Sequence, residues 1–220
     1  FTYGNVDLTE TLAVLDKEYL AKFDAIELDS TIAPLSPWFQ PQQGRFTYPL
    51  DANDTEAART DIAVGFATND RREVLENLAM KVVDIYLLDN AASPLRKALI
   101  DSKLGEELGG SGHADHQRDT FFIVVLKGSE VDRSEKVEQL ILDTIKDECQ
   151  RGFNAYLVES ALHRLEQASR ETRPQYPIRL LVLVFCAWLN DSDPLAQVDT
   201  TRRLAELRAT PKTNLRHHVD

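Results

Sequence analysis

Chemistry in this chain would have to start where reactive side chains fall close together. His113-Ala114-Asp115-His116 is the one His pair in the interior of the sequence, and two imidazoles flanking a carboxylate are the ligand types of a zinc site. Such a site needs three or four ligands. Helical zinc motifs also set His at i and i+4 with a Glu base, so that both rings leave one face. Here the pair follows Gly109-Gly110-Ser111-Gly112, and residues 113–116 read as a solvated loop. His217-His218 has no acidic or His neighbour close before it and is a weaker candidate still. The glycines themselves resemble a phosphate cradle, but such loops follow a strand, open a helix and usually carry Lys, whereas a strand follows here. They read as a connection between strands with left-handed positions. Ser93, Ser111 and Ser129 lie in no G-x-S-x-G turn, so a hydrolase elbow is not supported. Ser93 and Ser129 read as helix caps. Cys149 continues the 137, 141, 145 spacing of a helix and reads as core rather than nucleophile. Glu106-Glu107, Asp143 and Asp147 read as charged surface. These residue types give no catalytic and no metal-ligating residue, and the substrate-binding residues are unknown.

The bulk properties exclude several partners. The 220 residues carry a net charge of −11, and the longest basic runs are the doublets Arg71-Arg72 and Arg202-Arg203, so nucleic acid is not an expected partner. Leu180–Leu189, the longest apolar run, is ten residues, too short to span a bilayer, and reads as a buried helix. The only cysteines, Cys149 and Cys186, are expected to be reduced core residues, which places the protein inside the cell. Phe1–Asp7 reads as strand and turn rather than as a targeting peptide. The chain opens on Phe1 and its single methionine is Met80, which leads to the expectation of a processed chain or a piece of a longer one.

The elements follow from periodicity. Phe1–Asn5 reads as a short strand. Asp7 and Glu10 make a capping box before a helix over 8–24 carrying Leu8, Leu12, Leu15, Tyr19 and Phe23. Pro34, Pro37 and Pro41 break any helix in the following stretch, which reads as a linker. Residues 45–50 read as a strand, and 61–68 as a half-buried strand alternating Ile62, Val64 and Phe66 with Ala63, Gly65 and Ala67. Asp70 and Glu73 form a second capping box before a deeply buried helix through Tyr86. Ser93-Pro94 opens another helix. Thr120–Lys127 is the strongest strand, suited to a central position covered on both faces or on one. Helices follow over about 131–150, 154–170, 177–190 and 200–208. Grouped helices after few strands predict an α+β fold, a mostly antiparallel sheet with helices packed on one face.

Several stretches also resemble a known family. Phe1-Thr2-Tyr3-Gly4-Asn5, Tyr19-Leu20-Ala21-Lys22-Phe23, Ser93-Pro94-Leu95-Arg96-Lys97 running on to Gly105, Val125-Leu126-Lys127-Gly128, Gly152-Phe153 and Trp188-Leu189-Asn190-Asp191-Ser192-Asp193-Pro194-Leu195 are similar, in collinear order, to presequence proteases, the single-chain branch of the insulinase (pitrilysin, M16) zinc metallopeptidases. The resemblance implies an insulinase-type, LuxS/MPP-like fold in a long enzyme of four homologous domains that closes around unstructured peptides. It implies zinc held by an inverted His-x-x-Glu-His helix, and no such motif occurs in this chain. Residues 1–30 would then end the preceding catalytic-type domain, 31–44 would be a linker, and 45–220 a second, non-catalytic domain. The stretch after Arg208 departs from the family pattern, which would continue with another helix and a strand. The implied function is a non-catalytic, chamber-forming portion of a zinc-dependent metalloendopeptidase of the bacterial cytoplasm or the mitochondrial or plastid matrix. Its partners would be unstructured peptides such as cleaved presequences and other domains of the same chain, with zinc in the full enzyme and none on this segment. The alternative is an inactive insulinase-like scaffold, or a processing-peptidase core-type subunit, that binds partners without zinc.

Overall fold

The Asp7 carboxylate accepts the Glu10 amide at 2.9 Å and opens α1 (Leu8–Glu18), which ends in a 3-10 turn at Leu20–Lys22, short of the expected residue 24. The computed structural model describes residues 2–209 apart from Tyr3, Ser30, Pro37, Asp54 and Arg173. The strand expected over 1–5 rests partly on Phe1 and Tyr3, outside the described residues, and Gly4-Asn5 is a bend. Residues 45–50 form no strand: they have no ladder partner, and Tyr48 instead donates its hydroxyl to the Arg59 carbonyl. The proline-rich stretch lies against the start of the sheet, where the Leu35 amide donates to Asp119 Oδ2 at 2.8 Å and Arg118 to the Ile32 carbonyl at 3.1 Å.

The remaining elements are β1 (Thr60–Asp70), α2 (Val74–Leu88), α3 (Pro94–Ser102), β2 (Glu107–Leu108), β3 (Gly112–Ala114), β4 (Asp119–Ser129), α4 (Ser134–Arg151), α5 (Ala155–Arg170), α6 (Tyr176–Leu189), α7 (Pro194–Val198) and α8 (Thr200–Ala209). All pairing is antiparallel: β4 has β1 on one side and the short β2 and β3 along the other. Ile62, Val64 and Phe66 face Leu126, Val124 and Phe122 across the ladder. With period two, these side chains point to one face, and Phe122, Val124 and Leu126 are buried there. On the opposite face Ala63, Gly65 and Ala67 are exposed beside half-exposed Phe121, Ile123 and Val125. The central strand is therefore covered on one face only.

α2 is the hub of the helical layer, burying Leu78, Ala79, Met80, Val82, Val83, Tyr86, Leu87 and Leu88. Its wide apolar arc is covered by a continuous core with Leu95 and Leu99 of α3, Val137 and Ile141 of α4, Val158 and Leu162 of α5, and Leu204 and Leu207 of α8. Each fully buried Leu or Ile here is worth about 2–5 kcal/mol against Ala. Tyr86 fastens the layer: its hydroxyl donates to Glu148 Oε2 at 2.6 Å and accepts the Asn154 amide at 3.2 Å, with the ring edge-on to Phe153.

Three expectations are corrected. Asp70 does not cap α2. It ends β1, and its carboxylate takes the amide and guanidinium of Arg72 while Glu73 occupies the cap position, so an ion pair engages the carboxylate that a cap would need. Ser129 is no helix cap: it is the buried last residue of β4 and donates to the Leu104 carbonyl at 2.6 Å. The run at 180–189 is helical, but Val182, Phe185, Trp188 and Leu189 are exposed and only Ala187 of α6 is buried.

Candidate functional site

The turn from β1 into α2 places Arg71 where its backbone is tied on three sides. Its amide donates to the Arg118 carbonyl at 2.7 Å, and its own carbonyl accepts Asn77 Nδ2 at 2.7 Å and Gln197 Nε2 at 3.4 Å. That leaves the guanidinium inside the protein, 2% exposed, with Nη1 4.0 Å from Asp115 Oδ2. Asn77, Lys81 and Asp84 follow at i, i+4 and i+7 along α2 and form a polar stripe on an otherwise apolar helix. Lys81 Nζ reaches Asp115 Oδ2 at 2.7 Å, Asn77 Oδ1 meets His113 Nε2 at 3.2 Å, and Asp84 Oδ2 accepts the His113 amide at 3.1 Å. The last contact depends on Gly112, whose φ is +128°; a Cβ there would stand 2.8 Å from Asp84 Oδ2.

Electrostatics fix the protonation states. Burial pushes His113 down to about 4, with Lys81 and Arg71 adding to the effect against the pull of Asp115, so the ring is neutral. Burial alone would raise Asp115, but Lys81 and Arg71 outweigh it and hold the carboxyl below its ordinary range. Burial raises Asp84. Arg71 Nε and Nη1 and His113 Nδ1 are buried without hydrogen-bond partners.

Residues 113–116 are thus not a solvated loop. Gly112–Ala114 is strand β3, with His113 opposite Phe122 on the helix-covered face, because β4 supplies a ladder that local composition does not reveal. His113 and His116 do not converge: His116 is 82% exposed and touches only the far oxygen of Asp115. The glycines at 109–112 join β2 to β3, with Gly110 at φ 66°. Ser111 donates to and accepts from Val125 across that connection. Ser93 occupies the cap position of α3 without a capping bond and donates to the Ile85 carbonyl instead. Cys149 and Cys186 are half-buried on α4 and α6. Asp147 pairs with Arg151, Asp143 accepts from Gln139, and Glu107 lies opposite Lys127. His217 and His218 lie outside the described residues.

The node does not fit zinc. Two cations already face its central carboxylate, and among the described residues no three His, Cys, Asp or Glu side chains converge. Nor does it place a nucleophile beside a base: Asp115 is fixed as a counter-ion and His113 as a neutral donor or acceptor to Asn77. What the arrangement accomplishes is to lock β3 and its following turn onto α2. Arg71, Asn77, Lys81 and Asp84 were not singled out from sequence, although the i, i+4, i+7 polar stripe is a readable signal.

The chain thus combines a helical layer on one face of an antiparallel sheet with a buried ionic node between β3 and α2. The chain belongs to the family described as the Peptidase M16 inactive domain, whose family model matches residues 1–165. Among curated relatives it is 28% identical to protein HypA of Clostridium perfringens, 29% to the mitochondrial presequence protease of Mus musculus and 31% to the chloroplastic/mitochondrial presequence protease 1 of Arabidopsis thaliana. These similarities cover 97%, 97% and 94% of this chain and 22%, 21% and 20% of the relatives. The chain thus spans about a fifth of their length. The fold is shared with the inactive peptidase domain of a protein described as a zinc protease from Bordetella parapertussis, at TM-score 0.60 and 13% identity over 74% of this chain and 84% of that one. A Bordetella pertussis counterpart gives TM-score 0.57 and 15% identity over 72% and 84%. No helix among the described residues is long and apolar enough to cross a membrane.

Proposed function

We propose that this chain supplies a non-catalytic part of the wall of a peptide-enclosing chamber in a zinc-dependent metalloendopeptidase, with zinc held elsewhere in the parent polypeptide. The observation that carries this reading is the buried node, where this member of an inactive-domain family places two cations around a fixed carboxylate. Residues 1–30 would close the preceding catalytic-type domain, 31–44 would link, and 45–220 would form the second domain. In support, α1 buries none of its residues, whereas β1, α2, α3, β4, α4, α5 and α8 share one core. Enclosure limits substrates to short or unstructured peptides such as cleaved targeting presequences, and a net charge of −11 favours basic ones. The setting is the interior of the cell, bacterial cytoplasm or organellar matrix, without a nucleic-acid or membrane partner.

The test uses the full-length protein. Elemental analysis and cleavage of an unstructured peptide are measured for the wild type and for His113→Ala. The expected result is zinc-bearing, chelator-sensitive cleavage, with the zinc content unchanged in the variant. Loss of zinc in His113→Ala would move the metal into this node and overturn the reading. A full-length protein with neither zinc nor cleavage would establish the scaffold alternative instead.

A further inference from the structure

α6 reads Tyr-Pro-Ile-Arg-Leu-Leu-Val-Leu-Val-Phe-Cys-Ala-Trp-Leu, with Arg179 its one charged residue. A helix that is apolar all round ordinarily lies inside a core. Here it packs on α7 and leaves a stripe bare: Ile178, Val182, Phe185 and Leu189, spaced by four, three and four, share one face with Trp188. Phe185 and Trp188 stack with ring centroids 6.3 Å apart, and Trp188 is 62% exposed. Leu195 and Val198 of α7 extend the patch. Together they offer several hundred Å² of apolar surface, on the order of the largest patch an ordinary monomer shows and of one side of an inter-domain contact.

The comparisons bear on what covers it. The family model matches residues 1–165, so α6 lies outside the matched segment. The similarity to HypA and to the mouse presequence protease covers 97% of the chain, a span that extends over α6. Those relatives are about five times as long as this chain. We infer that the bare face formed by Ile178, Val182, Phe185, Trp188 and Leu189 of α6, continued by Leu195 of α7, is an intramolecular docking surface covered by an apolar segment of the same polypeptide outside these 220 residues. The inference rests on the proposed membership of this chain in a longer protein and goes beyond it by assigning the surface.

Hydroxyl-radical footprinting of the wild-type full-length protein tests this without any substitution. Oxidation of Trp188 and Phe185 is read by mass spectrometry against the same protein unfolded in urea, with the oligomeric state fixed by sedimentation. The expected result is a monomer in which both residues oxidise about tenfold more slowly than in the unfolded reference. Oxidation of Trp188 within about twofold of the reference in a long, folded monomer would overturn the docking surface while leaving the proposed function intact. Protection that disappears when an oligomer dissociates would overturn it in favour of a second copy. An intact mass near that of this chain alone would refute membership in a longer protein, and the docking surface with it.

Discussion

Asp115→Asn removes the one counter-charge shared by Arg71 and Lys81 while keeping the side chain's shape. The carboxylate is 11% exposed, 2.7 Å from Lys81 Nζ and 4.0 Å from Arg71 Nη1. At 4 Å and an effective dielectric constant of about 20, one such attraction is worth about 4 kcal/mol before desolvation is subtracted. Arg71, 2% exposed and already lacking acceptors for Nε and Nη1, cannot turn to water when its partner is neutralised. Breaking a buried pair from one side costs about 3–5 kcal/mol, and because Lys81 retains access to solvent the lower end, about 3 kcal/mol, is expected. Arg71→Met takes away the badly satisfied partner and leaves Asp115 paired with Lys81, so about 1 kcal/mol is expected. Urea unfolding followed by circular dichroism measures both. The sign with pH is fixed as well: a carboxyl lowered from 3.8 in the folded state contributes stability that is fully present above 3.8 and lost as pH falls through the folded value. The gap between wild type and Asp115→Asn should therefore begin to narrow below about pH 4 and go on narrowing as pH falls through the folded value. Equal costs for the two variants, or a gap unchanged at pH 3, would refute the assignment of Asp115 as the clamp of this node.

His113, lowered from 6.5 to about 4, stays neutral when folded but protonates when unfolded, so stability falls as pH drops from 6.5 towards 4. His113→Gln should flatten that stretch of a stability-versus-pH curve; an unchanged slope would assign it to other groups. Gly112→Ala should cost about 2–3 kcal/mol by thermal unfolding, because φ is +128° and the new Cβ would strike Asp84 Oδ2. A cost under about 0.5 kcal/mol would show that β3 can shift freely there.

Much of the fold was readable because it is written locally. The alternation at 61–68, the apolar run ending at Lys127 and the helical spacing through Val137, Ile141 and Ile145 each commit a segment without help from elsewhere. The readings that failed depend on a distant partner. Ser129 looks like a cap until Leu104 is brought beside it, and residues 112–114 look like loop until Phe121 and Phe122 offer them a ladder. Residues 45–50 have the composition of a strand but gain no ladder partner. Of the node, only His113 and Asp115 were singled out, through residue type. Arg71 appeared as half of a basic doublet, because its burial is set by Gln197 and Asn77 holding its carbonyl from two other elements.

The contrast between α2 and α6 shows what such patterns can and cannot decide. Both are apolar on nearly every side, and for both that composition demands cover. α2 receives it from β3, α3, α5 and α8, and its few polar positions, Asn77, Lys81 and Asp84, fall on the one stripe where Arg71, His113 and Asp115 can answer them. α6 has no polar stripe to answer and, among the described residues, no second layer above Val182, Phe185 and Trp188. The amount of apolar surface is fixed by composition, whereas the element that covers it is set by topology. Exposing several aromatic and branched side chains together invites association, which is why the docking surface inferred on α6 calls for a covering segment.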